Sequence, residues 1–267
     1  MIKVTIGDMY MFRYKNLAFL KIFDIWFEEE LFYTADSSIK CLHENKKIDK
    51  NMYDFKITAK TFLLDISKEI EDIFACFDYK SCKYAINRAN RDGIRVWKVE
   101  DSDDKKKYFD FQNLFCEEKG IPKLDADELN NIEIFCAETD EKEFLGGCAF
   151  IISGDKKTVR YKYGATLHKY NANEAIIWYA IQNYHARGFE MFDFGGVMPT
   201  EDKTSYYYHH YKFKKKFGGD LIDSYIYFKL KGVLKVLYCP FEIILKYCFK
   251  QDINNLVIWL NKHRCMK

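Results

Sequence analysis

The chain has 267 residues, 48% of them hydrophobic and 31% charged, which is enough to bury a core and excludes a disordered polymer. Its 42 basic and 40 acidic residues leave a formal charge of +2, so no global field attracts nucleic acid or anionic membrane and any basic site is local. The nine cysteines are odd in number and lack Cys-x-x-Cys or Cys/His metal spacing; they read as reduced core thiols in a reducing cytosol, with no metal site.

The opening Met1-Ile2-Lys3-Val4 has no charged segment followed by an apolar core, so it does not read as a signal peptide. Nor does any window reach the roughly 18 uninterrupted apolar residues that a membrane span requires. Residues 1–66 read as short strands and loops, clearest at 27–32 and 57–66. The second of these ends as a buried strand and leads into a helix capped by Ser67, with Glu69 and Glu71 in its first turns. Only three prolines and no Gly/Ser-rich linker occur, so two domains would be packed together rather than tethered. Residues 79–92 predict a helix: Tyr79, Cys82, Ile86 and Ala89 form a buried stripe, Lys80, Lys83, Asn87 and Arg91 lie on a neighbouring face, and Gly93 ends it. A strand over 94–99 and a second amphipathic helix over 103–119 follow, the latter closed by Gly120 with Pro122 just beyond.

Strands are then expected at 132–137, 144–152 and 158–166, the last two joined by the turn Ser153-Gly154-Asp155. Asn173 can cap a helix running to about Ala186, where Gly188 stops it, and a buried strand at 189–194 ends at Gly195-Gly196. A polar loop, a helix over 204–217 and a strand over 221–230 complete a β-β-β-α-β-α-β order. That order specifies an α/β (α+β) layer with a mixed sheet, antiparallel hairpins first and a crossover after.

Within this stretch, Tyr161-Lys162-Tyr163-Gly164-Ala165, the helix around Trp178-Tyr179-Ala180-Ile181, the segment Asp193-Phe194-Gly195-Gly196 and the segment Phe213-Lys214-Lys215-Lys216-Phe217-Gly218-Gly219 stand in that order. The pattern resembles the Fem-type branch of the GNAT acyltransferase superfamily, the peptidoglycan-bridge aminoacyltransferases and their acetyltransferase-like relatives. Residues 61–67 and 80–93 resemble the strand and basic helix that precede the domain in that branch, so the likeness spans about 61–230. It implies a GNAT-like mixed β-sheet flanked by helices. Large Fem-type enzymes carry two such domains and a coiled-coil arm. Here there is room for one full domain at 101–232, a reduced β-rich N-terminal partner at 1–100 that includes the basic helix, and a helical extension at 233–267. The resemblance further implies an enzyme that moves an acyl or aminoacyl group onto a primary amine, on a cell-envelope precursor or an amino sugar.

Amine acylation requires an uncharged nucleophile, a route for its proton, and donors aimed at the oxyanion of the tetrahedral intermediate. On the 204–217 helix Phe213 and Phe217 are i and i+4 and point inward, and Lys214 lies about 100° round, beside Tyr207 and Tyr211. Lys214 is the candidate for stabilising an oxyanion or phosphate; the alternative is that Lys212, Lys214, Lys215 and Lys216 form one solvated face. Asp193 either accepts a proton or holds Lys214, or else shapes the turn at Gly195-Gly196. Lys214, Asp193 and Tyr211 are thus the candidate catalytic residues. The candidate substrate-binding residues are Lys80, Lys83, Tyr163, Tyr207 and Phe213. For these the competing readings are a solvated helix face for the two lysines and sheet packing for Tyr163. Adjacent His209 and His210 cannot chelate one metal, and neither a nucleophile elbow nor a phosphate-binding Gly-x-x-x-x-Gly-Lys loop is present.

Where an acetyl-CoA-dependent relative has a Gly-rich pyrophosphate loop, this chain reads Leu167-His168-Lys169-Tyr170-Asn171-Ala172-Asn173. That favours aminoacyl-tRNA over acyl-CoA as donor, with no tightly bound cofactor. An acetyl-CoA-dependent N-acetyltransferase and a GNAT-like binding module without turnover remain as alternatives. Residues 233–248, apolar with interspersed lysines, suit either contact with a membrane surface or two packed helices broken at Pro240. The expected location is the cytoplasm, peripheral at the inner face of the membrane.

Overall fold

The structure, a computed structural model, describes residues 12–17, 20–27, 29–34, 36–121, 123–167, 169–205 and 207–238. Along the chain lie β1 (Phe12–Leu17), β2 (Leu20–Trp26), α1 (Glu29–Thr34), β3 (Ile39–Glu44), β4 (Phe55–Asp65), α2 (Ile70–Ala75) and α3 (Tyr84–Arg91). Then come β5 (Arg95–Lys98), α4 (Ser102–Glu118), β6 (Glu133–Glu138), β7 (Phe144–Ile152), β8 (Thr158–Thr166), α5 (Ala172–Ala186), β9 (Met191–Val197), α6 (Tyr208–Lys215) and β10 (Asp220–Leu230). The described residues form two units. The first holds 62–195 and 212–221; the second holds 12–61, 196–211 and 222–238. Residues 62–100 therefore group with 101–195.

In the first unit the strand order is β4-β9-β8-β7-β6-β5. β5 to β8 pair antiparallel and β8 pairs parallel with β9, which makes the sheet mixed. Every residue of β7 after Phe144 is buried, as expected for a strand covered on both faces. One face meets α4: Tyr108 packs with Ile134, Cys136 and Ala149. The other meets α5, where the Phe135 ring lies 6.0 Å from Tyr179 and 5.7 Å from Tyr184. Alternation along β6 thus puts Ile134 and Cys136 under one helix and Phe135 under the other. The expected class, an α/β layer with a mixed sheet flanked by helices, is the observed one.

The second unit is β-rich. β1 and β2 are antiparallel, β2 and β3 parallel, and β3 and β10 antiparallel. Its core gathers Phe23, Ile25, Phe32, Leu42, Tyr225 and Tyr227, and the buried Tyr227 hydroxyl donates to the Lys46 carbonyl at 3.1 Å.

Several local expectations need correction. Residues 29–34, taken as strand or loop, form α1, with Glu29 and Glu30 at its N-terminus and Phe32 fully buried. Ser67 does not cap α2; its hydroxyl and amide turn back to Asp65, and the helix begins three residues later behind Glu69. The 79–92 helix opens with a π-helical turn over Tyr79–Lys83, in which the Lys83 amide reaches the Asp78 carbonyl at 3.0 Å, before α3 proper; this wider turn carries Tyr79, expected in the buried stripe, out into solvent. Asn173 is not a cap: Asn171, in the left-handed region at φ 55°, holds that position, and α5 starts at Ala172. The 204–217 helix is shorter, Tyr208–Lys215. Five of the described cysteines are buried, whereas Cys76 is exposed. Of the expected C-terminal extension, 233–238 is helical with Val233, Val236 and Leu237 exposed, and 239–267 lie outside the described residues. Among the described residues no helix is long and apolar enough to cross a membrane.

Candidate functional site

Strands β8 and β9 pair at only three positions, Thr158↔Met191, Val159↔Phe192 and Arg160↔Asp193, although β8 runs on to Thr166. The last pair sets two charges side by side. Asp193 is fully buried, between Phe192 and Phe194, and a carboxylate there needs partners. It accepts the Gly195 amide at 2.7 Å, and one oxygen lies 3.6 Å from the Arg160 guanidinium, whose side chain is only 12% exposed. Asp193 thus shapes the glycine turn, one of the two readings from the sequence, and faces the Arg160 charge.

Lys214, partly buried on α6, completes the cluster. Desolvation, and after it the Arg160 charge, pull its amine down from the ordinary lysine value to about 8, while Asp193 works the other way. Its Nζ also stands 5.9 Å from the centroid of the Tyr161 ring. Gly195 makes this approach possible. At φ +72° a Cβ there would sit 2.7 Å from the Tyr161 carbonyl oxygen and 3.6 Å from Lys214 Nζ. Gly195→Ala is accordingly expected to cost about 1–3 kcal/mol. Gly196→Ala is expected to be near neutral, because a Cβ at that position meets nothing within 4 Å. Urea titration of the two variants checks the contrast, and equal midpoints would refute it.

Tyr161 is partly buried, with its hydroxyl among further polar groups. Burial raises its phenol well above the usual value, and the hydroxyl is hydrogen-bonded with Cys148 and Asn173. The Cys148 thiol donates to the Asn173 side-chain oxygen at 3.1 Å, and its own pKa is pushed up by burial. The space for that hydroxyl exists because residue 164 is glycine; a Cβ at Gly164 would stand 1.9 Å from it. One residue further along α5, Glu174 pairs with Lys216, each 15% exposed. The basic run on α6 is thus not one solvated face. Lys214 turns toward Asp193, Lys216 toward Glu174, and of the four lysines only Lys215 is exposed.

Lys214 and Asp193 lie within electrostatic reach of each other. Tyr211 is buried one turn before Lys214 on α6 and Tyr207 lies just ahead of that helix; both belong to the second unit. Phe213 stacks edge-on against Phe217 at 5.5 Å. Lys80 is exposed, whereas Lys83 donates to the Ala75 carbonyl at 2.9 Å and lies over the Phe74 ring. Tyr163 packs in the cluster under α4 and donates to Glu128 at 2.6 Å. A register skip explains its place: Ala149 faces Tyr163 and Phe150 faces Tyr161, so Lys162 is a bulge and the two tyrosines occupy opposite faces. Arg160 and Tyr161 escaped the sequence reading. The only available signal was the cross-strand neighbourhood of Asp193, which no single segment displays.

Residues 117–239 match the FemAB family model. No curated protein sequence matches the chain. In structure it is similar to the crystal structure of FemX, at 14% identity and TM-score 0.63, over 85% of this chain and 86% of that one. It is also similar to L-PGS from Bacillus licheniformis, at 12% identity and TM-score 0.55, over 86% of this chain and 85% of that one.

Proposed function

We propose that this chain, whose fold is of the Fem-type GNAT branch and whose residues 117–239 match the FemAB model, is a transferase that moves an aminoacyl group onto a primary amine of a cell-envelope precursor or amino sugar. The observation that carries the reading is Lys214, a partly buried cation held beside Asp193 and Arg160 where the β8–β9 pairing ends. Transfer from an ester donor begins when a neutral amine attacks the carbonyl carbon and forms the C–N bond. The carbonyl oxygen gains negative charge in the tetrahedral intermediate, and a protonated Lys214 donates to it. Collapse breaks the C–O bond, and the proton lost by the amine passes to the departing hydroxyl. The Asp193 carboxylate beside Lys214 favours its protonated form, and the Arg160 guanidinium lies 3.6 Å from the same carboxylate.

The start of α5 supports an aminoacyl donor over acyl-CoA. A pyrophosphate would need free amides and positive charge at that helix end. In this chain Glu174 places a carboxylate in the first turn, where it already pairs with Lys216, and Asn173 is engaged by Cys148. Calorimetric titration with acetyl-CoA is expected to give no binding in the micromolar range. Micromolar binding would instead make the protein an N-acetyltransferase. The transfer itself is tested by incubating the protein with tRNA charged with radiolabelled amino acids and a pool of amine-bearing envelope precursors. Label moving into the acceptor supports the reading; release only to water overturns it. A cytoplasmic enzyme working against the inner face of the membrane fits such an acceptor, with the exposed Val233, Val236 and Leu237 facing lipid.

A further inference from the structure

The π-helical turn at Tyr79–Lys83 and α3 behind it present a face that the core does not explain. Cys82, Ala85, Ile86 and Ala89 are buried; the opposite side carries Lys80, Tyr84, Asn87, Arg88 and Arg91, all exposed. Tyr79 is 79% exposed, the highest value among the described large hydrophobic side chains, and Tyr84 is 56% exposed. Leaving two phenol rings in water forgoes the burial that normally places tyrosine at least partly inside. The cations are interleaved with the rings at helical spacing. Arg88 is bound to Asp92 at 2.8 Å, but Lys80 and Arg91 make no ion pair among the described residues. The turn itself is of a rare kind, which is found disproportionately at functional sites. It is also fastened to α6, because the Asp78 amide donates to the Lys216 carbonyl at 2.8 Å, two residues past Lys214.

We propose that this face, Tyr79 to Arg91, is a docking surface for single-stranded RNA, with the two tyrosines stacking on bases and Lys80, Arg88 and Arg91 contacting phosphates. The inference rests on the aminoacyl-RNA donor reading above and adds the surface that would hold the donor's unpaired end close to α6. Rings alternating with cations suit a ligand that itself alternates π-faces with phosphates. A neutral glycan would leave the cations unused, and an anionic lipid surface would leave the stacking faces without partners.

The test uses the whole chain and a fluorescently labelled single-stranded RNA of about eight nucleotides, within the range one such surface covers. Anisotropy is expected to show salt-dependent binding. The double variant Lys80→Glu/Arg91→Glu should weaken it at least about tenfold and lower the salt slope by about 2. Tyr79→Ala/Tyr84→Ala should weaken binding while leaving that slope unchanged. Circular dichroism melts should match the wild type in all cases, since every altered side chain is exposed. Lys214→Ala should bind the RNA as the wild type does, so a failure of the transfer reading and a failure of this one are told apart. Absence of RNA binding, binding indifferent to both double variants, or capture of anionic phospholipid vesicles in place of RNA each overturns the proposal.

Discussion

Lys214→Met is expected to lower the transfer rate about 10²–10³-fold, the cost of removing one donor from a developing oxyanion. The same change is expected to make the protein more stable at pH 7. The amine falls from 10.5 in an unfolded chain to about 8 in the fold, chiefly through desolvation, so the folded state holds its proton less tightly than the unfolded one. At 1.36 kcal/mol per unit, the cationic lysine costs up to about 3 kcal/mol below pH 8. That cost shrinks as pH rises from about 8 toward 10.5, where the unfolded chain also loses the proton. Wild-type stability should therefore climb through that window while that of Lys214→Met stays flatter. Urea unfolding of both proteins at pH 7 and pH 10 measures it. If the two midpoints differ equally at both pH values, Lys214 does not titrate as described. The rate profile offers a second check. Transfer should fall above about pH 8 as Lys214 loses its proton, and Lys214→Arg should abolish that descending limb.

The second large effect is structural. Asp193→Ala leaves Arg160 and Lys214 beside one another without their shared carboxylate and also removes the acceptor of the Gly195 amide. Breaking a buried pair from one side costs about 3–5 kcal/mol, because the remaining charge stays buried. The double change Arg160→Met/Asp193→Leu, which removes both members, should recover most of that loss. Chemical denaturation decides the matter, and a single variant within about 1 kcal/mol of wild type would show that Asp193 carries no such burden.

The parts of this architecture that local pattern controls were legible in the sequence. Three of the four stripe positions, Cys82, Ile86 and Ala89 but not the exposed Tyr79, the strand over 144–152, and the glycine stop at Gly188 all depend on neighbours a few residues apart. Lys214 and Asp193 were candidates from the sequence through the Fem-type pattern around them, beside the readings of a solvated basic face and a glycine turn. What stayed hidden depends on long-range pairing. Arg160 becomes a partner of Asp193 only through parallel register with β9. Helix α1 was hidden for a different reason: six residues with Phe32 inward look much like a short strand until the surrounding core is known. Tyr161 was hidden by its own alternation, since Val159, Tyr161 and Tyr163 read as one face.

That last point has a consequence for how this segment can vary. With Lys162 out of register, the faces of β8 are set by how many residues lie between Arg160 and Gly164 as well as by which residues they are. Replacing Lys162 keeps the bulge but takes from the buried Glu128 carboxylate the cation that stands 3.5 Å from it. Deleting it would close the skip, turn Tyr163 onto the side now held by Tyr161, and leave the Glu128 carboxylate without the phenol it accepts from. Length, which is usually the most forgiving property of a loop, is at this strand the least forgiving one.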